Sequence, residues 1–324
     1  MPLVRNSPRL WVAFGIVYVV WGSTYLAIRY GVQTMPPLLM AGTRFLTAGA
    51  ILFIYSKLRG APRPTGIHWR SAAIVGTLLL LGGNGLVCWG EQYLPSGLTA
   101  LIIGSTPLWM TLLDWLAYGG QRPTMTMTLG LGFGMAGLLV LVGRENINDG
   151  GAVSGWAIVG MLGACIFWTL GSLQSRRMPL PASPLLATAM EMLCGGAMQF
   201  IAGSLLGEWH QFDPSRVTGK SLAALAYLTF VGSLVAFSAY VWLLQHASPS
   251  SISTYAYVNP VIAVFLGWAL AGEKLGTNML LAAGLILIAV VLVTRGRRAV
   301  KGEPENASGT QPAPAMACAE NRLE

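Results

Sequence analysis

Residues 248–273 read SPSSISTYAYVNPVIAVFLGWALAGE, an apolar stretch with Asn259 and Pro260 near its centre. Proline inside a hydrophobic helix lacks a backbone N–H and crowds the carbonyl four residues earlier, which here belongs to Ala256. In lipid, a carbonyl that loses its partner must be satisfied by other protein groups or by a water-filled cavity. The stretch therefore predicts a helix break at Pro260 beside a polar site.

A second stretch, residues 95–121, repeats this pattern with Thr106 and Pro107 in the matching place. The carbonyl that loses its partner there belongs to Ile103. This stretch predicts a second helix break at Pro107. Two proline-interrupted apolar helices in two halves of one chain predict a binding site between the halves.

The composition places most of the chain in lipid. Of 324 residues, 54% are hydrophobic and 10% are charged, whereas a soluble domain has about 25% charged residues. The net charge of +8 could indicate nucleic-acid binding, but the basic residues cluster between the apolar segments, as in membrane proteins. We therefore predict an all-α integral membrane protein in a lipid bilayer that binds no nucleic acid.

A spanning helix needs about 20 mostly apolar residues, and this length predicts ten transmembrane helices. The first run is long enough to be a retained helix rather than a cleaved signal peptide. The polar residues 299–324 predict a disordered cytoplasmic tail. The approximate spans are 10–30, 37–57, 71–92, 96–118, 125–143, 153–174, 184–207, 221–245, 249–271 and 276–294.

Ten spans place both termini on one side of the membrane. Most basic residues fall on that side, which predicts that both termini are cytoplasmic. The residues on that side are Arg5, Arg9, Lys57, Arg59, Arg63, Arg70, Arg122, Arg176, Arg177, Arg295, Arg297, Arg298 and Lys301.

The chain contains an internal repeat. Trp21 aligns with Trp168 at an offset of 147 residues, and Pro107 aligns with Pro260 at an offset of 153. Each repeat holds five predicted spans, so the second repeat enters the membrane from the opposite side. Inverted repeats with interrupted helices are typical of secondary transporters. The two repeats are residues 10–143 and 153–294.

Several motifs fit one known family. They are Trp21-Gly22-Ser23, Pro37 with Arg44-Phe45, Asn259-Pro260-Val261, and Gly272-Glu273-Lys274 with Gly284. With these motifs the chain resembles the drug/metabolite transporter superfamily, specifically its EamA-type exporters. The resemblance implies gradient-linked export of small metabolites, including amino acids, across the bacterial inner membrane. One departure is that Gly120 stands in the first repeat where Glu273 stands in the second.

Two charged residues are candidates for substrate and proton binding. Arg44 lies about 10 Å below the membrane interface at 1.5 Å per residue, where a charge costs at least about 2.5 kcal/mol and indicates function. It could bind a substrate carboxylate, or hold helix-end carbonyls as a structural residue. Its repeat mate Glu191 could carry a coupling proton as a buried carboxylate, or pack against helix ends.

The remaining candidates are aromatic or polar. Trp21, Trp168, Tyr255 and Tyr257 could wall a cavity for apolar, aromatic or cationic solutes, or serve as packing between helices. The polar groups best suited to complete such a site are Asn84, Ser105, Thr106 and Asn259.

Three other features favour structural roles. Residues 132–137 match the dinucleotide fingerprint GxGxxG but lie inside a predicted span, which favours close helix packing. Glu91, towards the end of the third span, is expected to be a solvated helix-end residue, with a role in a gate as the alternative. Glu273 is expected to stabilise the start of the tenth helix through the helix dipole.

These observations predict an exporter of small metabolites or drugs that works by alternating access, with protons as a candidate coupling ion. No Cys or His spacing predicts a metal site, and no cofactor is expected. The alternatives are an integral membrane enzyme acting on lipid, or a channel or sensor. The oligomeric state is left open, with a homodimer as one alternative.

Overall fold

The computed structural model describes residues 8–120, 122–142, 155–246 and 255–300, and within these ranges the chain is helical without β-strands. From residue 301 onward, the predicted tail lies outside the described residues. The long helices are α1 (Pro8–Gly31), α2 (Pro37–Leu58), α3 (Gly66–Gly90), α4 (Ser96–Tyr118), α5 (Met125–Val142), α6 (Gly155–Ser175), α7 (Pro184–Leu205), α8 (219–246), α9 (Tyr255–Ala271) and α10 (Thr277–Val300).

Seven helices in these ranges, α1 to α4 and α6 to α8, are long and apolar enough to cross a membrane. The helices α9 and α10 contain shorter apolar parts, Val258–Ala271 and Thr277–Val293. The prediction of an all-α membrane protein is confirmed at this level. The number of ten spans stays a prediction.

Helices from the two halves of the chain pack against each other in pairs. The most extensive contacts join α2 to α7 and α5 to α10. Further contacts join α3 to α6 and α1 to α8. Because each pair combines one helix from residues 8–142 with one from residues 155–300, the apolar core forms between the two halves.

Two glycines bring the backbones of α3 and α7 into direct contact. A Cβ atom added at Gly76 would lie 2.5 Å from the carbonyl oxygen of Glu191, and one at Gly195 would lie 2.5 Å from the carbonyl oxygen of Gly76. The neighbours are backbone atoms, so no side-chain rotation could relieve such a clash. The absence of a side chain at both positions therefore fixes the distance between these helices.

We expect Gly195→Ala to lower the free energy of unfolding by about 1–3 kcal/mol, because the added methyl group must push α3 away from α7. The matched control is Gly15→Ala in α1, where an added Cβ meets no atom within 4 Å. That change should leave stability the same or raise it slightly, since alanine favours the helix. Thermal unfolding in detergent compares the two variants, and equal unfolding temperatures would contradict the close approach.

The glycines around the fingerprint-like residues 132–137 lie on α5 and pack against α10. An added Cβ would lie 2.9 Å from the carbonyl oxygen of Ala289 at Gly130, and 3.2 Å from that of Ala282 at Gly137. The expected role in close helix packing is confirmed for Gly130 and Gly137, whereas a Cβ added at Gly132 would meet no atom within 4 Å.

Candidate functional site

The helices α3 and α8 each contain a π-helical segment of nine residues, Thr77–Gly85 and Tyr227–Val235. A π-helix shifts the backbone bonding by one residue and occurs frequently at functional sites. In the first segment, Gln199 of α7 donates its side-chain amide to the carbonyl oxygen of Leu80 at 2.7 Å. A side chain from the other half of the chain thus bonds the irregular backbone, as a lipid environment requires.

Arg44 of α2 lies against the second π segment. Its Nε donates to Ser233 Oγ at 2.9 Å, and its guanidinium carbon lies 4.6 Å from the centre of the Phe45 ring. The residue is only 6% exposed, and among the described residues no carboxylate lies within ion-pair distance of it. A buried charge is costly unless it is paired, so this position is suited to receive an anion.

Gly232, the residue before Ser233, lies close to the guanidinium of Arg44. A Cβ atom added at Gly232 would lie 3.4 Å from Arg44 Nη2 and 3.3 Å from Thr24 Cγ2 of α1. The π segment is also bonded to α1, because the hydroxyl oxygens of Tyr227 and Ser23 lie 2.6 Å apart. The guanidinium therefore lies where α1, α2 and α8 meet.

Trp21 of α1 is the centre of an aromatic cluster. Its ring centroid lies 5.0 Å from that of Tyr240, 5.3 Å from that of Tyr255 and 6.1 Å from that of Phe237. Thr24, which adjoins Gly232, lies one turn further along α1 and donates its hydroxyl to the carbonyl oxygen of Trp21 at 2.6 Å. Thr24 and Gly232 thus connect the cluster to Arg44. We call this group the Arg44 site: Trp21, Thr24, Arg44, Ser233, Phe237, Tyr240 and Tyr255.

Asn259, the residue before Pro260, connects α9 to α1. In the amide orientation that satisfies its neighbours, its nitrogen donates to the carbonyl oxygens of Tyr18 and Tyr255, each at 3.2 Å. The helix continues through Pro260 without interruption, which corrects the expected break there. The proline removes only one backbone donor, and the Asn259 amide adds a bond in the same turn. Tyr257 lies in the first turn of α9, and its side chain is outside the described atoms.

The helix α4 is interrupted at Ser105, the position expected from Pro107. Pro107 lies in the first turn that follows, where a missing backbone N–H costs no hydrogen bond. Thr106 Oγ1 donates to the carbonyl oxygen of Ile103 at 2.5 Å. The carbonyl that was expected to need a polar partner in the substrate site is therefore satisfied within α4.

Three other predicted site residues make their contacts on α3, α6 and α7. Trp168 of α6 is 39% exposed and adjoins the first π segment, where an added Cβ at Gly83 would lie 3.0 Å from the indole ring. Asn84 Oδ1, in that segment, accepts a hydrogen bond from Cys88 Sγ at 3.5 Å. Glu191 is partly exposed on α7 and forms no ion pair among the described residues. The contacts therefore bring Trp21 and Tyr255 together and connect them to Arg44 through Thr24 and Gly232, but they do not join Arg44 to Glu191.

Glu273 caps α4 rather than α10, which corrects the expected partner of this residue. Its Oε1 accepts from the backbone N–H of Ser96 at 2.8 Å and from Ser96 Oγ at 2.7 Å, and its Oε2 accepts from the N–H of Gly97 at 3.1 Å. The N-cap of α4 is Pro95, which has no polar side chain to cap the helix. A carboxylate from the far half of the chain supplies the missing acceptor.

Glu208, which the sequence did not single out, performs the same task for α2. The N-cap of that helix is Pro36. Both Glu208 oxygens lie 3.1 Å from the backbone nitrogen of Leu38, and Oε2 accepts from the N–H of Leu39 at 2.9 Å. A helix that begins after proline, with no Ser, Thr, Asp or Asn in reach, is the signal that could have predicted a remote cap.

The departure between the repeats at Gly120 has a local explanation. The mates Gly119 and Gly272 end α4 and α9 with φ values of +69° and +66°, in the left-handed region that favours glycine. The Glu273 carboxylate approaches Gly267, whereas in the first repeat Asp114 Oδ2 would lie 2.6 Å from a Cβ added at Gly120. At the offset of 153 residues, Asp114 matches Gly267 and Gly120 matches Glu273. Each repeat therefore has one carboxylate close to one glycine, but the two residues exchange positions between the repeats.

Comparison with known proteins identifies the family. The model of the EamA-like transporter family matches twice, at residues 9–143 and 155–295. The inner membrane transporter YedA of Escherichia coli K12 is 39% identical over 93% of this chain and 95% of its own length. The transporter YoaV of Bacillus subtilis is 26% identical over 87% of this chain and 96% of its own.

Two further matches agree with this result. A probable amino-acid metabolite efflux pump of Salmonella typhimurium is 26% identical over 84% of this chain and 92% of its own length. One solved crystal structure superposes with a TM-score of 0.59 at 19% identity, covering 92% of this chain and 100% of the other, which demonstrates a shared fold alone. The chain belongs to the EamA-like transporter family.

Proposed function

We propose that this protein is a secondary transporter of the inner membrane that exports small carboxylates bearing an apolar or aromatic group, amino acids among them. The observation that carries the proposal is the buried guanidinium of Arg44, which has no carboxylate partner among the described residues. A planar guanidinium can bind a carboxylate through two parallel hydrogen bonds. The aromatic cluster around Trp21, which Thr24 and Gly232 connect to Arg44, supplies an apolar surface for the rest of the substrate.

The packing of the helices supports a mechanism of alternating access. The pair α1 and α8 has its counterpart in α6 and α3, and the π segments lie in α3 and α8. In both pairs the first helix of one repeat contacts the third helix of the other repeat. This arrangement fits two inverted five-helix repeats, residues 10–143 and 153–294, that rock about a site between them. We place both termini in the cytoplasm, as the basic residues predict, and we retain Glu191 as a candidate proton carrier.

The proposed function is tested by counterflow in liposomes that contain the purified protein. We expect labelled phenylalanine to exchange against internal unlabelled phenylalanine without ATP, because the substrate gradient alone drives this exchange. Protein-free liposomes are the control for leakage. Absence of exchange across a panel of amino acids and other carboxylates, together with turnover of a lipid, would instead favour an enzyme.

Competing solutes test the role of the carboxylate. Phenylpropionate keeps the carboxylate and the ring of phenylalanine, whereas phenethylamine keeps the amine and the ring. We expect phenylpropionate to inhibit counterflow at least about tenfold more strongly, since one charge-assisted hydrogen bond contributes about 1.5–3 kcal/mol. Stronger inhibition by phenethylamine would indicate a cation bound to the aromatic rings and would contradict the anion site.

A further inference from the structure

Glu91 is a buried carboxylate that follows the end of α3 at Gly90 and is 2% exposed. Among the residues that the structure describes, neither of its oxygens has a hydrogen-bond partner. This corrects the expectation that it is solvated. An ionised carboxylate in such surroundings is costly unless it is paired and hydrogen-bonded, so its burial calls for a neutral form.

The guanidinium of Arg29, which lines the same cavity as Glu91, is already engaged by other groups. Arg29 Nη1 donates to the carbonyl oxygen of Leu94 at 2.7 Å, and Arg29 Nε lies 3.6 Å from Glu273 Oε1. Glu273 itself is the acceptor that caps α4. The cluster therefore holds two carboxylates, Glu91 and Glu273, for the single positive charge of Arg29.

Burial raises the pKa of Glu91 well above its usual 4.5, while Arg29 lowers this pKa and Glu273 raises it. The other titratable groups that face the carboxyl are the Tyr25 hydroxyl of α1 and the Cys88 thiol of α3, and neither is a cation at neutral pH. A raised pKa means that the buried arrangement is most stable when Glu91 is protonated. That stability is lost as the pH rises above the usual value towards the raised one.

A polar cavity of about 380 Å³ adjoins this cluster. Two glutamines and a tyrosine contribute most of its other polar groups, so a proton leaving the carboxyl would enter a region that water can occupy. The residues that line it are Arg29, Val32, Gln33, Glu91, Gln92 and Tyr93.

We propose that Glu91 is a proton-binding site that controls the opening of this end of the bundle, where α1 and α3 end and α4 begins. In the closed arrangement the carboxyl is neutral. When the end opens, the O–H bond of the carboxyl breaks, the proton passes to water in the cavity, and the resulting carboxylate is hydrated beside Arg29. This inference rests on the proposed function, since it assigns the pH control of one gate of the transporter.

Infrared difference spectroscopy tests the protonation itself and requires no substrate. Purified wild-type protein titrated from about pH 5 to about pH 9, the interval between a normal and a strongly raised carboxyl pKa, should lose a carbonyl-stretch band of a protonated carboxyl. Because Glu191 is itself a candidate proton carrier, the comparison is made in a Glu191→Gln background, where we expect the band to be present and to disappear when Glu91→Gln is added. Asp213→Asn, a change at an exposed carboxylate, is the matched control and should retain it. A band that persists in the variant with both Glu91→Gln and Glu191→Gln, or that is already absent from Glu191→Gln alone, would overturn the assignment.

Counterflow then tests the gate. In wild-type liposomes the exchange rate should rise with external pH, because loss of the proton favours opening, and Asp213→Asn should behave in the same way. Glu91→Gln imitates the neutral acid, so its exchange should be slow and independent of pH. A rise with pH equal to the wild type, or failure of this neutral isostere to fold, would contradict the inference. Absence of counterflow in the wild type would refute the proposed function, while the infrared result still decides the proton site.

Discussion

Arg44→Ala should raise the concentration of carboxylate substrate that gives half-maximal counterflow by about 10- to 100-fold. The guanidinium is buried, and its described contacts are one hydrogen bond to Ser233 and the face of Phe45, so most of its donors are available to a ligand. Loss of a charge-assisted pair costs about 1.5–3 kcal/mol, or about 10- to 100-fold in affinity. The measurement is the dependence of the phenylalanine exchange rate on concentration.

Two variants separate a binding role from a structural one. Arg44→Lys keeps the charge but lacks the planar fork, so we expect it to recover part of the affinity. Ser233→Ala removes only the hydroxyl that orients the guanidinium, so we expect it to weaken substrate binding by about 1 kcal/mol. Because Arg44 has no carboxylate partner among the described residues, Arg44→Ala should lower the free energy of unfolding by no more than about 1–3 kcal/mol, the cost of leaving Ser233 without its partner. A large loss of stability in Arg44→Ala, with lysine giving no recovery, would show that the arginine is structural.

The sequence predicts the helices well because a membrane span is a property of length and apolar composition. The start of α2 at Pro37 and the end of α4 at Tyr118 fall at the predicted residues. The offset of 153 residues between the repeats also aligns Gly119 with Gly272, the two glycines whose φ values are left-handed. In these cases the determining feature is local, so the residues themselves carry it.

The π segments and the helix caps could not be predicted in this way. A π-helix changes the backbone bonding by one residue and leaves the apolar composition unchanged, so periodicity does not detect it. The partner of Glu273 is α4, far away in the chain, although the adjacent α10 offered an equally plausible helix end. Glu91 was expected to be solvated because its position at the end of α3 indicates neither its depth nor its neighbours. These features depend on how the halves pack.

The two remote caps lead to the second large effect, on stability. Glu273→Gln replaces a carboxylate that accepts three hydrogen bonds by an amide with a single acceptor atom. The amide nitrogen would face the N–H donor of Gly97 or the groups of Ser96. A buried donor left without a partner costs about 1–3 kcal/mol, so we expect a loss of at least about 2 kcal/mol, measured by unfolding in mixed detergent micelles.

Glu208→Gln provides the comparison that isolates capping from charge. Glu208 binds the first backbone N–H groups of α2 and has no ion pair among the described residues, whereas Glu273 also lies 3.6 Å from Arg29. An ion pair with a partly exposed arginine adds at most about 1 kcal/mol, so the two variants should be destabilised to a similar extent, Glu273→Gln somewhat more. The exposed control Asp213→Asn should unfold like the wild type. If Glu208→Gln also unfolds like the wild type while Glu273→Gln does not, the charge beside Arg29, rather than the cap, would be the stabilising element. Equal loss in both would establish that the second half of the chain holds two helices of the first half, α2 and α4, each through a single carboxylate.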